Sequence, residues 1–144
     1  HLYNFENYTS KQIDSLIKLL KYISYRYGIK KHNILGHSDI SPYRKIDPGE
    51  KFPWKILYKN KIGIWHNLKK VKLSSAREEA VSIKKVNLFM KNLSKFGYPG
   101  KSIIVKNKRK YNKLLVKAFQ RRFRPELING KIDQECLLIS QNLT

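Results

Sequence analysis

The clearest pattern in the chain is an apolar stripe at helical spacing near its amino-terminal end. The stripe consists of Ile13, Leu16, Ile17, Leu20, Ile23 and Tyr27. It follows the capping box Thr9-Ser10-Lys11-Gln12, in which the threonine hydroxyl accepts an early helix N–H and Gln12 reaches back. Gly28 then supplies a left-handed stop. The pattern predicts an amphipathic helix over residues 9–27, with its lysines in solvent.

A short apolar segment follows this helix and ends at a histidine. Asn33-Ile34-Leu35-Gly36 is typical of a buried strand, and His37 comes directly after it. Between residues 38 and 54, proline and glycine interrupt the chain and predict a loop; they are Pro42, Pro48, Gly49 and Pro53. A helix, a buried strand and a loop that carries polar groups away from the strand end together favour an α/β fold for this part.

The rest of the chain has helical patterns alone. Residues 66–85 are rich in lysine and serine, lack a strong period and predict a linker. Three apolar stripes follow it: Val86, Leu88, Phe89, Leu93 and Phe96 before a stop at Gly97; Tyr111, Leu114, Leu115, Ala118 and Phe119; and, after Asp133 as N-cap, Leu137, Ile139 and Leu143. The predicted organisation is therefore an α/β portion over 1–65, a linker over 66–85 and a small three-helix bundle over 86–144, close to the smallest size that folds unaided.

Composition narrows the class of protein. Hydrophobic residues make up 41% of 144 residues, which excludes wholesale disorder. No apolar run reaches the roughly 18–20 residues that a membrane span needs, so we expect no transmembrane segment. The single cysteine, Cys136, excludes an internal disulfide and a cysteine zinc cage, and its apolar neighbours predict a small buried residue. Composition does not set an oligomeric state.

The formal charge of +21 has two interpretations. It attracts polyanions such as nucleic acid, anionic membrane or acidic wall polymers, or it reflects the lysine-rich composition of proteins from AT-rich genomes. Nucleic-acid binding rests only on this charge and on Lys106, Lys108, Arg109 and Lys110 ahead of a helix. Since base-reading motifs are absent, we expect no specific nucleic-acid partner.

The candidate chemistry lies between residues 36 and 49. Asp47 follows His37 by ten positions, in a loop that two prolines stiffen. Imidazole nitrogen and carboxylate oxygen are good zinc ligands, and a loop of this length can bring both to one ion. Lys45 precedes Asp47 by two positions, so in an extended segment it faces the same side and could stabilise an oxyanion. On these residues alone, a structural His–Asp hydrogen bond and a surface lysine remain the commoner interpretations.

Sequence blocks in this stretch resemble the second half of the zinc amidases of the type 2 amidase family. They are Gly36-His37-Ser38-Asp39-Ile40, Arg44-Lys45-x-Asp47-Pro48-Gly49, Phe52-Pro53-Trp54 and Gly63-Ile64-Trp65. Residues 117–127, followed by Gly130 and Asp133, are similar to the three-helix peptidoglycan-binding domain of the longer members. The resemblance implies an α/β amidase domain, with a mixed sheet flanked by helices, followed by an all-α bundle.

The resemblance also implies an activity. His37 matches the family's second zinc-binding histidine, Asp47 its carboxylate ligand, and Lys45 the lysine that polarises the substrate carbonyl or stabilises the oxyanion. The implied reaction is hydrolysis of the amide between N-acetylmuramic acid and L-alanine, with Zn²⁺ as cofactor and peptidoglycan or muropeptides as partners. The appended bundle favours the cell envelope or periplasm over the cytoplasm.

Two of the family's catalytic groups have no counterpart in this chain. Another zinc histidine and a general-base glutamate come from strands upstream of the first predicted helix, where this chain offers only His1 and Glu6 without a strand to position them. His32 and His66 are expected to be exposed. We therefore expect little or no amidase activity from this chain alone. The alternative is a non-catalytic peptidoglycan-binding fragment.

Overall fold

The computed structural model describes residues 6–99 and 107–144, and these residues form α-helices joined by loops. The helices are α1 (Ser10–Arg26), α2 (His37–Ile40), α3 (Trp54–Lys59), α4 (Lys70–Ala76), α5 (Ile83–Phe96), α6 (Lys108–Phe123) and α7 (Gln134–Leu143). A short 3₁₀ turn covers Lys31–Asn33. Within the two described ranges no helix is long and apolar enough to cross a membrane.

Helix α1 begins where its capping box predicts. The Gln12 N–H donates to the Thr9 hydroxyl at 3.3 Å, and the Thr9 N–H donates to the Gln12 side chain at 2.8 Å. Each of the two residues thereby satisfies the other's backbone N–H at the helix start. The helix ends at Arg26, with Tyr27 as C-cap. The predicted helix over residues 9–27 is confirmed to within a residue at each end.

The prediction of an α/β fold with a mixed sheet is wrong. No strand occurs in residues 6–99 or 107–144, where the nearest feature is an isolated antiparallel bridge between Ala80 and Asp133. Residues 34–36 are irregular backbone after the 3₁₀ turn, and His37 opens α2 instead of ending a strand. A strand is stabilised by ladder hydrogen bonds to a neighbouring strand. Here the Ile34 carbonyl accepts instead from the Arg122 side chain at 3.2 Å.

A small apolar cluster holds the amino-terminal half together. Its buried members are Trp54, Leu57 and Ile62, which come from α3 and the turn after it. The α1 stripe contacts this cluster through Leu16, Ile17 and Leu20, although no residue of α1 is fully buried. The cluster therefore packs one face of α1 against α3.

A larger core lies among helices α4 to α7. Its buried members are Leu73, Phe89, Leu93, Tyr98, Tyr111, Leu115, Val116, Ala118, Phe119, Phe123, Cys136, Leu137 and Ile139. The Phe89 and Phe119 rings meet edge to face with centroids 5.1 Å apart. Such aromatic pairs add to the stabilisation that buried apolar area provides. The three helices predicted after residue 86 are confirmed as α5, α6 and α7.

The ends of these helices follow the predicted signals. Gly97 lies at φ 107 and closes α5, a backbone conformation that favours glycine. The Asp133 carboxylate caps α7 by accepting from the Cys136 N–H at 2.9 Å. Cys136 itself is fully buried, and burial raises the pKa of its thiol to about 12. The prediction of a small buried residue at this position is confirmed.

The segment predicted as a linker contains helix α4. Its residues Leu73 and Ala76 are buried, and the helix packs against α7. Just before it, Trp65 contacts both apolar clusters. The two halves of the chain are therefore in contact, and the predicted domain boundaries at residues 65 and 86 stay a prediction.

His66 corrects an expectation from the sequence. Its side chain is buried beside Trp65, with ring centroids 5.1 Å apart, rather than exposed. Burial lowers the pKa of the imidazole, and the positive charge of Lys55 lowers it further. His66 is therefore a packed, uncharged residue near neutral pH.

Candidate functional site

His37 and Asp47 are brought together in the structure. His37 is the first residue of α2, and Asp47 lies in the loop that follows this helix. The Ser38 N–H donates to the Asp47 carbonyl at 2.9 Å and closes the loop. The His37 Nδ1 and Asp47 Oδ2 atoms are then 3.1 Å apart. Their side chains are 47% and 60% exposed, so the pair is open to solvent.

This pair has the separation that zinc coordination needs. Two donor atoms that each lie about 2.0–2.1 Å from a tetrahedral zinc are about 3.3 Å from each other. The observed 3.1 Å between His37 and Asp47 is close to that value. It is equally the length of a hydrogen bond, so the distance alone fits both the metal site and the structural pair. The chemistry of the donors, imidazole nitrogen and carboxylate oxygen, suits zinc.

The described ranges hold no third ligand beside this pair. Across them, no group of three or more His, Cys, Asp or Glu side chains lies close enough to share a metal ion. His32 is exposed in the 3₁₀ turn, as expected, while His66 is buried elsewhere. Glu6 is exposed, and His1 lies outside the described residues. Catalytic zinc sites generally use three protein ligands plus water, and the described residues present two of them.

The loop approaches the backbone at Gly36 closely. A Cβ atom built on Gly36 would lie 2.8 Å from Pro48 Cδ and 3.2 Å from the Trp54 ring. A side chain at this position would therefore push the loop away. The Tyr8 hydroxyl also donates to the Pro48 carbonyl at 3.0 Å and attaches the loop to the segment before α1. These contacts hold Asp47 beside His37.

Lys45 lies on the surface of the same loop. Its N–H donates to the Ser41 carbonyl at 2.9 Å, which fixes the backbone as a turn, and its side chain is exposed. Lys45 thus precedes Asp47 by two positions and is open to solvent. The role of Lys45 as oxyanion stabiliser stays a prediction.

A buried polar cluster lies beside the pair, and no local sequence pattern predicts it. The Asp39 carboxylate accepts from Tyr98 at 2.7 Å, from Arg122 at 2.5 Å and from the Gly36 N–H at 2.8 Å. Burial raises the pKa of the Tyr98 hydroxyl well above its usual range, and the negative charge of Asp39 raises it further. The hydroxyl therefore stays protonated and donates to the carboxylate.

The sequence carried part of this signal. Asp39 stands in the block Gly36–Ile40, and Arg122 stands in the stretch 117–127. Both lie in segments that carry the resemblance. They are 83 positions apart, however, and nothing in a single sequence pairs residues at that separation.

The basic residues considered for nucleic-acid binding lie at the start of α6. Lys108, Arg109 and Lys110 are exposed in its first turn, and Lys106 lies outside the described residues. Their exposure is as expected for an ordinary solvated surface as it is for a surface that binds a polyanion. The expectation of no specific nucleic-acid partner stays a prediction.

Comparison with known proteins agrees with the resemblance. Residues 1–50 match the family described as N-acetylmuramoyl-L-alanine amidase. The N-acetylmuramoyl-L-alanine amidase AmiD of Escherichia coli K12 is 34% identical over 139 residues, which cover 96% of this chain and 49% of AmiD. The 1,6-anhydro-N-acetylmuramyl-L-alanine amidase AmpD of Enterobacter cloacae is 45% identical over 47 residues, 33% of this chain and 25% of AmpD.

Solved structures give the same relationship. The complex of AmiD from E. coli with the substrate anhydro-N-acetylmuramic acid-L-Ala-D-gamma-Glu-L-Lys superposes with a TM-score of 0.81 at 35% identity, covering 97% of this chain and 53% of AmiD. AmpDh3 from Pseudomonas aeruginosa superposes with a TM-score of 0.78 at 32% identity, covering 97% and 54%. The chain thus spans about half the length of AmiD, and its backbone follows those of AmiD and AmpDh3 over the matched part.

Proposed function

From the similarity of this chain to N-acetylmuramoyl-L-alanine amidases, we propose that it carries part of the zinc site of such an enzyme. The observation that supports this most directly is the 3.1 Å approach of His37 to Asp47, on the loop that the matched sequence blocks form. The proposed reaction is hydrolysis of the amide between N-acetylmuramic acid and L-alanine. The relatives solved with anhydromuramyl peptides support muropeptides as the substrate class.

Each residue of the loop has a proposed role. His37 and Asp47 would hold the zinc ion. An ion bound there would polarise the substrate carbonyl and lower the pKa of a bound water. Lys45 would place its ammonium group near the carbonyl oxygen and stabilise negative charge as it develops there. The exposed side chain of Lys45 is consistent with this role. The strongly basic composition of the chain would attract acidic muropeptides to this surface.

We expect this chain alone to turn over muropeptides slowly or not at all. The described ranges supply two zinc donors, and no third His, Cys, Asp or Glu side chain in them lies close enough to share the ion. The test is incubation of the purified chain and added zinc with muropeptides, with free peptide measured by mass spectrometry. We expect release close to that of zinc alone.

Three outcomes of this assay separate the parts of the proposal. Fast release that a chelator abolishes would show that another ligand and base complete the site, and it would overturn the expectation of low activity. Fast release that persists in chelator would contradict the zinc mechanism itself. Fast release that Lys45→Ala leaves unchanged would remove the proposed role of Lys45.

Binding to peptidoglycan without cleavage is the second candidate function. Helices α5 to α7 share a continuous core, as a bundle with a role of its own requires, and their sequence resembles a peptidoglycan-binding domain. Such a role would place the protein in the cell envelope. We expect the whole chain to sediment with insoluble peptidoglycan even at about 1 M salt, where the screening length falls to about 3 Å. An unrelated protein of similar net charge is the control, and equal loss of both proteins at this salt would contradict specific binding.

A further inference from the structure

The Asp39 carboxylate joins the two halves of the chain. Asp39 is 5% exposed, and its two oxygens accept from the Tyr98 hydroxyl, the Arg122 guanidinium and the Gly36 N–H. Tyr98 follows α5 and Arg122 lies on α6, so two of these donors come from the carboxyl-terminal bundle. A buried carboxylate is costly unless it is paired and hydrogen-bonded. The bundle supplies both the charge and the hydroxyl that Asp39 requires.

Arg122 contacts this region at two further points. Its guanidinium donates to the Ile34 carbonyl at 3.2 Å and lies 4.1 Å from the centroid of the Trp54 ring. The side chain is 2% exposed, so these contacts are shielded from water. Arg122 therefore contacts three parts of the amino-terminal half: the segment ahead of α2, α2 itself and an aromatic ring of the amino-terminal cluster.

The contacts of Asp39 lead directly to the His37–Asp47 pair. Asp39 fixes the Gly36 N–H, and α2 begins with the next residue, His37. Within the same turn, the Ser38 N–H donates to the Asp47 carbonyl at 2.9 Å. Helix α2 also packs against α6. Movement of Asp39 would therefore be transmitted to both side chains of the pair.

We propose that Tyr98 and Arg122 are positioning residues, which act through Asp39 to hold His37 and Asp47 at the separation of a metal site. As a statement about metal binding, this inference rests on the proposed function; as a statement about the geometry of the loop, it stands by itself. The carboxyl-terminal bundle is then part of the site and not only an appended wall-binding unit. Outer partners of metal ligands commonly change metal affinity by about 10–100-fold when they are mutated.

Two tyrosines offer a matched pair of variants. Tyr98 is 5% exposed and donates to Asp39, whereas Tyr111 is 6% exposed and donates to the Pro99 carbonyl at 2.9 Å. Tyr98→Phe and Tyr111→Phe each remove one hydroxyl from the same core and keep the ring. Only Tyr98→Phe removes a contact of Asp39.

The experiment uses NMR to measure amide hydrogen-exchange rates. The rate at Ser38 reports on the loop, and the rate at Ile139 in α7 is the reference. In Tyr98→Phe we expect Ser38 to exchange about tenfold faster, as loss of a hydrogen bond to a charged group implies, with Ile139 unchanged relative to Tyr111→Phe. Zinc affinity, titrated in the same samples, should fall by about tenfold in Tyr98→Phe and stay unchanged in Tyr111→Phe. Arg122→Lys, which keeps the charge but loses the fork geometry of the guanidinium, should also raise the exchange rate at Ser38.

Two results would overturn the positioning role. One is unchanged Ser38 exchange in both Tyr98→Phe and Arg122→Lys. The other is a parallel rise at Ser38 and Ile139, which would mean that the contacts only stabilise the whole fold. If the unmodified chain takes up no zinc, the proposed function fails, while the Ser38 exchange still decides whether Tyr98 and Arg122 hold the loop.

Discussion

Replacing Arg124 with methionine is expected to lower the free energy of unfolding by about 3–5 kcal/mol, because it leaves a buried carboxylate without its cation. Arg124 is 1% exposed and forms ion pairs with Asp133 and with Glu135, both of which are also buried. Glu135 keeps a second partner, since Arg77 donates to it at 2.7 and 2.8 Å. Asp133 has no other cation within ion-pair distance among the described residues.

Asp133 makes the loss severe because it also caps α7. Burial opposes its ionisation, but the Cys136 N–H and Arg124 hold the pKa of its carboxyl below the usual value on balance. It accepts from the Glu78 N–H at 3.2 Å as well, so the same carboxylate connects α7 to the segment before α5. Without Arg124, this carboxylate must either stay charged in a buried place or take up a proton and weaken its hydrogen bonds.

Urea denaturation at neutral pH measures the effect. Arg109→Met, at an exposed position of α6, the helix that Arg124 follows, is the control and should change the free energy of unfolding by less than about 0.5 kcal/mol. The double variant Arg124→Met/Asp133→Asn should lower the free energy of unfolding by less than the sum of the two single variants, because both charges of the pair are then removed together. A loss below about 1 kcal/mol for Arg124→Met would contradict this prediction. It would show that water solvates the Asp133 carboxylate or that Arg77 pairs with it in the variant.

The helices were predictable because their signals are local. The capping box at Thr9, the left-handed glycine at Gly97 and the N-cap at Asp133 each act within one helical turn, and all three lie where the sequence indicated. The apolar stripes between them also needed no knowledge of the rest of the chain. Helix α4 was missed, since its seven residues bury only two side chains and show no strong period.

The sheet prediction failed because a strand depends on its neighbours. The segment Ile34–Gly36 is apolar enough for a strand, but its backbone groups find Arg122 and Asp39 rather than a partner strand. His66 illustrates the same limit: its burial follows from where the chain turns after Trp65, which no local pattern records. Contacts set by tertiary packing override local preference in both cases.

The candidate site divides along the same line. His37 and Asp47 lie ten positions apart within one matched loop, so their approach could be anticipated from spacing and resemblance. The contacts of Asp39 with Tyr98 and Arg122 span 59 and 83 positions, and only the folded chain brings these residues together. The two candidate zinc ligands could thus be recognised from the sequence, whereas the buried contacts that hold their loop in place could not.

Replacing His37 with alanine is expected to weaken zinc binding by at least about 100-fold, because loss of a ligand exceeds the roughly 10–100-fold effect of losing an outer partner. His37 and Asp47 are the two donors that the described part of the chain places together, so Asp47 alone remains in the variant. Isothermal titration with zinc at neutral pH measures the change, and titration with cobalt gives an independent optical reading of nitrogen coordination.

The chain provides a matched control in His32, an exposed histidine on the same half of the molecule. His32→Ala removes one imidazole without touching the pair, so its zinc affinity should equal that of the unmodified chain. Asp47→Asn should weaken binding in the same direction as His37→Ala, because an amide oxygen is a poorer zinc donor than a carboxylate. Equal zinc affinity in His37→Ala and His32→Ala would mean that the 3.1 Å contact between His37 and Asp47 is a structural hydrogen bond and that the proposed metal site is wrong.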